Sequence, residues 1–129
     1  MFFSRGRNQI LVIDDDASLR RQLRFRLEKF DKAEVIEAEN GKAGLAKAYK
    51  YDPDLIILDW MMPDIEGDEV LRNLRQGETT KRIPVIMLTG KTKIGDIEDA
   101  FDLGADLYLT KPFTLQQISE KIQELLGKK

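Results

Sequence analysis

Asp54-Leu55-Ile56-Ile57-Leu58-Asp59-Trp60-Met61-Met62-Pro63-Asp64 decides the fold. Its aliphatic run is too short for a helix and apolar at every position, the pattern of a parallel strand buried on both faces. The same pattern recurs at Ile10 to Ile13, closed by Asp14-Asp15-Asp16, and at Val85 to Leu88, closed by Thr89. A weaker run, Leu107-Tyr108-Leu109, leads to Lys111. Glu34-Val35-Ile36-Glu37-Ala38 mixes polar and apolar positions and is placed at a sheet edge.

Helical spacing fills the gaps. Leu19, Leu23, Leu27 and Phe30 mark the first helix, with Asp16 as its cap. Asn40 caps a second through Leu45 and Tyr49, which Asp52-Pro53 ends. Val70, Leu71 and Leu74 mark a third, and Ile94, Ile97 and Phe101 a fourth that stops at a left-handed Gly104. Thr114 caps a fifth, carried by Leu115, Ile118, Ile122 and Leu125. Strand and helix alternate throughout, so the expected architecture is one α/β domain with an open, doubly wound parallel sheet and right-handed crossovers. It should span residues 9–127, with flexible tails at 1–8 and 128–129.

Composition limits the chemistry. In 129 residues there is no cysteine and no histidine. Thiolate nucleophiles, disulfides, imidazole ligands and the commonest general base are therefore excluded. Catalysis must come from carboxylates, hydroxyls and amines, and a metal held by side chains must be a hard one with oxygen ligands. A net charge of -2 gives no reason to expect direct nucleic-acid binding. No apolar run is long enough to span a bilayer, and the amino-terminal apolar stretch is too short for a secretory signal. A cytoplasmic protein is the simplest expectation.

Ligands of open α/β sheets bind beyond the carboxyl ends of the strands. Parallel strands would gather there the carboxylates of Asp14, Asp15, Asp16 and Asp59, the Thr89 hydroxyl and the Lys111 ammonium. Crowded carboxylates repel unless a proton or cation intervenes, and magnesium suits such a site because it leaves positions open for phosphate oxygens. Phosphoryl transfer rests on positioning and charge neutralisation, so these groups can support it without histidine. Asp59, alone at a strand end and beside the acidic group, is the expected nucleophile, forming an acyl phosphate. Asp16 is assigned to capping.

These stretches, together with Pro84-Val85-Ile86-Met87-Leu88-Thr89 and Gly104-Ala105 through Tyr108-Leu109-Thr110-Lys111-Pro112-Phe113, resemble the receiver domain of bacterial two-component response regulators, from about Ile10 to Leu126. The resemblance implies a flavodoxin-like, chemotaxis-regulator-like fold with strand order 2-1-3-4-5. It implies that Asp59 is the phosphoacceptor, Asp15 a direct Mg2+ ligand, Asp14 a ligand acting directly or through water, and the Met61 backbone carbonyl a further one. Lys111 resembles the lysine that contacts the phosphoryl group, Thr89 the hydroxyl that moves toward it, and Tyr108 the aromatic switch. Lys111-Pro112 resembles a peptide bond that is cis in this family. Gly90 stands where the family commonly has alanine, and Met61 and Lys91 lie where side chains influence the water that hydrolyses the acyl phosphate.

The implied function is a signalling module rather than an enzyme. It accepts a phosphoryl group from a sensor histidine kinase or histidine phosphotransfer protein, and then switches the surface of its fourth helix, fifth strand and fifth helix toward a partner, an output domain or a second copy in a homodimer. A magnesium phosphohydrolase of the haloacid dehalogenase type is the alternative from the enzyme class. It has no room for a cap domain and no role for Asp59. A flavodoxin-like carrier would set a flavin phosphate against three carboxylates. A receiver that only scaffolds would have no need of the complete residue set.

Overall fold

Alternate residues of each strand face opposite layers, and the aliphatic runs therefore fill two cores at once. The computed structural model describes residues 6–127. Its elements are β1 (Gln9–Ile13), α1 (Ala17–Lys29), β2 (Glu34–Ala38), α2 (Gly41–Tyr51), β3 (Leu55–Leu58), α3 (Gly67–Gln76), β4 (Val85–Thr89), α4 (Ile94–Leu103), β5 (Leu107–Thr110) and α5 (Leu115–Leu126). All pairings are parallel, in the order β2-β1-β3-β4-β5, so β2 lies at an edge as its mixed pattern implied. Leu11, Ile13, Ile56, Leu58, Val85 and Met87 pack into the layer shared with Ala48, Val70, Leu71, Leu74 and Ala100. Ile10, Val12, Leu55, Ile57, Ile86 and Leu88 face Leu23, Leu27, Ile118 and Ile122. Helices α1 and α5 thus cover one face, and α2, α3 and α4 the other.

The ends of the elements follow from local chemistry. Asp16 accepts the Leu19 amide at 3.1 Å, Asn40 accepts that of Ala43 at 2.8 Å, and Thr114 forms a reciprocal capping box with Gln117. Gly104 closes α4 in the left-handed region at φ 111°, where a Cβ would be strained. Asp52 ends α2 in that same region, at φ 50°, rather than in the extended conformation that a following proline favours. Of the tails expected at 1–8 and 128–129, residues 1–5 and 128–129 lie outside the described residues. Asn8 is held, because its carbonyl accepts the Glu34 amide at 2.8 Å.

Helical periodicity marked the helices more reliably than their buried faces. Phe30, Tyr49, Ile94 and Phe101 are exposed. Only Ala100 of α4 is fully buried, with Leu103 and Tyr108 partly covering the same layer.

Arg75 fastens the end of the sheet remote from the strand-end carboxylates. Its guanidinium donates to the carbonyls of Gly104 at 2.8 Å and Ile83 at 2.8 Å and to Asp106 at 3.1 Å. Asp106 in turn accepts the Val85 amide at 2.8 Å. Arg75→Ala strands these acceptors, and should lower the unfolding free energy by about 3 kcal/mol in urea titration, with Arg75→Lys recovering only part because lysine lacks the fork. A loss below about 0.5 kcal/mol would show that the clamp contributes nothing.

Candidate functional site

The register brings the acidic groups together. Ile13 pairs with Leu58, and the Asp59 amide donates to the Ile13 carbonyl at 3.0 Å, so the residues that follow, Asp14 and Asp59, emerge side by side where the strand order reverses. Asp59 is therefore inside the acidic cluster rather than beside it. Carboxylate oxygens of Asp14, Asp15 and Asp59 all lie within 4.8 Å of one another. Asp14 and Asp59 are buried, at 2% and 5% exposure, while Asp15 is exposed.

Each carboxylate is oriented by its neighbours. Asp14 accepts the Asp16 amide at 2.9 Å and the Lys111 ammonium at 3.1 Å, and its own carbonyl accepts from Arg20 at 2.7 Å. Lys111 also stands 3.5 Å from Asp59, bridging the two buried acids. The Thr89 hydroxyl and the Met61 amide face the Asp59 carboxylate and favour its charged form. Burial, and then repulsion from Asp14, push its carboxyl above the ordinary value against the opposing pull of Lys111 and these donors. Burial alone would lower Lys111, but Asp14 and Asp59 outweigh it and hold the ammonium above its usual value.

Oxygen donors alone, with one carboxyl kept from ionising freely, fit a hard divalent cation. Two oxygens bound to one magnesium at about 2.1 Å stand at most about 4.2 Å apart, so the cluster needs only a small contraction to hold it.

Thr89 is fully buried at the end of β4. Its hydroxyl accepts the Lys91 amide at 3.4 Å. Tyr108 does not touch the carboxylates but reaches the same loop, donating from its hydroxyl to the Lys91 carbonyl at 2.9 Å. Burial first, and then Asp96 and Asp59, push its phenol up to about 12, so it stays a donor. The Met61 side chain is 57% exposed. The Lys111–Pro112 bond is cis. A Cβ at Gly90 would meet nothing within 4 Å, so this departure from alanine opens no cavity.

Several contacts around the site are not legible in the sequence. The Lys91 ammonium lies 4.8 Å from the centroid of the Trp60 ring, a cation–π contact at the residue after Asp59. Asp64, in the loop between β3 and α3, caps α2 through the amides of Gly41 at 2.9 Å and Lys42 at 2.8 Å. Gly67 seats the start of α3 on the backbone just after Asp59, its amide donating to the Trp60 carbonyl at 2.6 Å. A glycine opening a helix shortly after Asp59 was the only visible trace of that contact.

Comparison with known proteins is consistent throughout. The family model described as response regulator receiver domain matches residues 10–123. The chain is 42% identical over 118 residues to the transcriptional regulatory protein ResD of Bacillus subtilis, covering 92% of this chain and 48% of ResD. It is 33% identical to the chemotaxis protein CheY-3 of Vibrio cholerae, covering 91% of this chain and 90% of that protein. It thus spans about half the length of the first relatives and nearly all of a chemotaxis protein. The solved structure of Vibrio cholerae CheY4 superposes with a TM-score of 0.88 at 31% identity, covering 94% of this chain and 100% of that one. A CheY-like receiver domain protein from Methanospirillum hungatei gives 0.87 at 31%, covering 95% of each chain. No helix among the described residues is long and apolar enough to cross a membrane. The fold, the acidic cluster at the switch point and these matches place the chain in the response regulator receiver domain family, whose members are phosphorylation-dependent signalling domains.

Proposed function

We propose that Asp59 accepts a phosphoryl group from the phosphohistidine of a sensor kinase or phosphotransfer protein, in the cytoplasm, with magnesium bound by Asp14, Asp15, Asp59 and the Met61 carbonyl. What carries this reading is the position of Asp59, a buried carboxylate facing Lys111, Thr89 and two further acids. In the transfer, an Asp59 oxygen forms the bond to phosphorus as the bond to the donor imidazole nitrogen breaks, and that nitrogen keeps the electron pair. A bound dication would neutralise charge on the transferring oxygens. Lys111, already between Asp14 and Asp59, exchanges a carboxylate for a phosphoryl oxygen. The Thr89 hydroxyl turns to the new acceptor and releases the Lys91 amide, and the loop that Tyr108 holds moves with it. The surface of α4, β5 and α5 then changes toward a partner or a second copy. Such a step biases two states a few kcal/mol apart.

Intact mass tests the assignment. With a small acyl phosphate donor and magnesium the protein should gain one phosphoryl group, labile in base, and Asp59→Asn should gain none. Equal labelling of the variant, or labelling that persists in a chelator, would overturn it.

A further inference from the structure

The basic residues of α1 divide into two groups. Arg20, Arg24 and Arg26 are engaged with Glu37, the carbonyls of Asp14 and Val35, and Ser119. Arg21 and Lys29 have no partner among the described residues, and they flank Phe25, which is 63% exposed. Spacing of four residues sets Arg21, Phe25 and Lys29 on one outward face.

Helix α4 carries the complement. Ile94 and Phe101, at 74% and 44% exposure, lie on one side with Glu98 and Asp102. Neither acid has a partner among the described residues, and α4 contains no basic residue. Asp102 in the last turn also opposes the helix dipole, so a cation there would be favoured.

We propose that the acidic, apolar face of α4 docks α1 of a second copy, with Phe25 against Ile94 and Phe101, and Arg21 and Lys29 against Glu98 and Asp102. A two-fold contact of α4 with itself would set these carboxylates against their own kind. Because α1 and α4 lie on opposite faces of the sheet, the contact is head-to-tail and leaves one free face of each kind at the ends, so association is open-ended. The patches are small, which places the contact in the weak, transient class. Its existence does not depend on the phosphorylation reading, and unphosphorylated protein is the right sample.

Sedimentation equilibrium of the full chain provides the test. The weight-average mass should rise progressively above the monomer as protein approaches about 1 mM. At about 0.01 M salt the rise should be strong, and at about 1 M salt, where the Debye length is about 3 Å, it should vanish. Glu98→Lys with Asp102→Lys, and separately Arg21→Glu with Lys29→Glu, should each weaken association by about tenfold or more. An equimolar mixture of the two should restore it, since each variant then meets an opposite face. Persistent monomer in the native chain, association insensitive to either variant, or failure of the mixture to recover would each overturn the proposal.

Discussion

Asp59→Asn should melt above the native chain at neutral pH without divalent cation, by on the order of 5 °C, the shift that about 1 kcal/mol produces in a domain of this size. Asp59 titrates above the ordinary carboxylate value of 3.8 because burial and Asp14 disfavour its charged form. Such a group holds its proton more tightly in the folded state than in the unfolded chain. Its contribution to stability is therefore fully present below 3.8 and is lost as pH rises through the folded value. Above that folded value the native chain holds the charge against Asp14, whereas asparagine fills the same place with no charge to repel it. The gap between the two melting curves should thus close on acidification below 3.8, where Asp59 is neutral in both states. Millimolar magnesium should raise the native chain more than the variant, which lacks one ligand. A variant that melts at or below the native chain at neutral pH would show that Lys111 already compensates the acidic cluster.

Gly67→Ala should have the largest effect of any substitution by one methyl group. A Cβ there would stand 2.5 Å from the Asp59 carbonyl oxygen and 2.7 Å from the Trp60 Cα. These are backbone atoms, so no rotamer change relieves the clash. The start of α3 must lift, or the end of β3 that leads into Asp59 must move. A loss of about 3 kcal/mol in unfolding free energy is expected, at the upper end for overpacking. Because the displaced backbone carries Asp59, the phosphorylation rate should fall by about tenfold or more even where the variant remains folded. Gly95→Ala is the matched control, since a Cβ at that helical position meets nothing within 4 Å. Equal stability and labelling of the two variants would show that α3 is free to yield.

The sheet is legible because each central strand is an uninterrupted aliphatic run, and burial on both faces leaves little else that such a run can be. The strand-end residues are legible for the same reason: parallel strands deliver their closing residues to one edge. What the chain does not display is pairing across it. Asp59 reads as isolated until the Ile13–Leu58 register sets it beside Asp14. Asp64 and Arg75 act on amides and carbonyls of other loops, and any residue supplies those. Amphipathic spacing likewise identifies α4 without saying which stripe is buried, because small residues, Ala100 above all, fill the space beneath it.

Lys91 gives the loop after β4 an all-or-none character. Its ammonium rests on Trp60, its amide on Thr89 and its carbonyl on the Tyr108 hydroxyl. Three anchors on one residue cannot slip independently, since moving its backbone strains all of them together. At about 0.5–1 kcal/mol each, their joint loss shifts an equilibrium by about one to two orders of magnitude, whereas any single loss shifts it only a few-fold. Under the proposed switch, intermediate poses of the loop are thinly populated, so the surface it carries takes one of two shapes rather than a graded series.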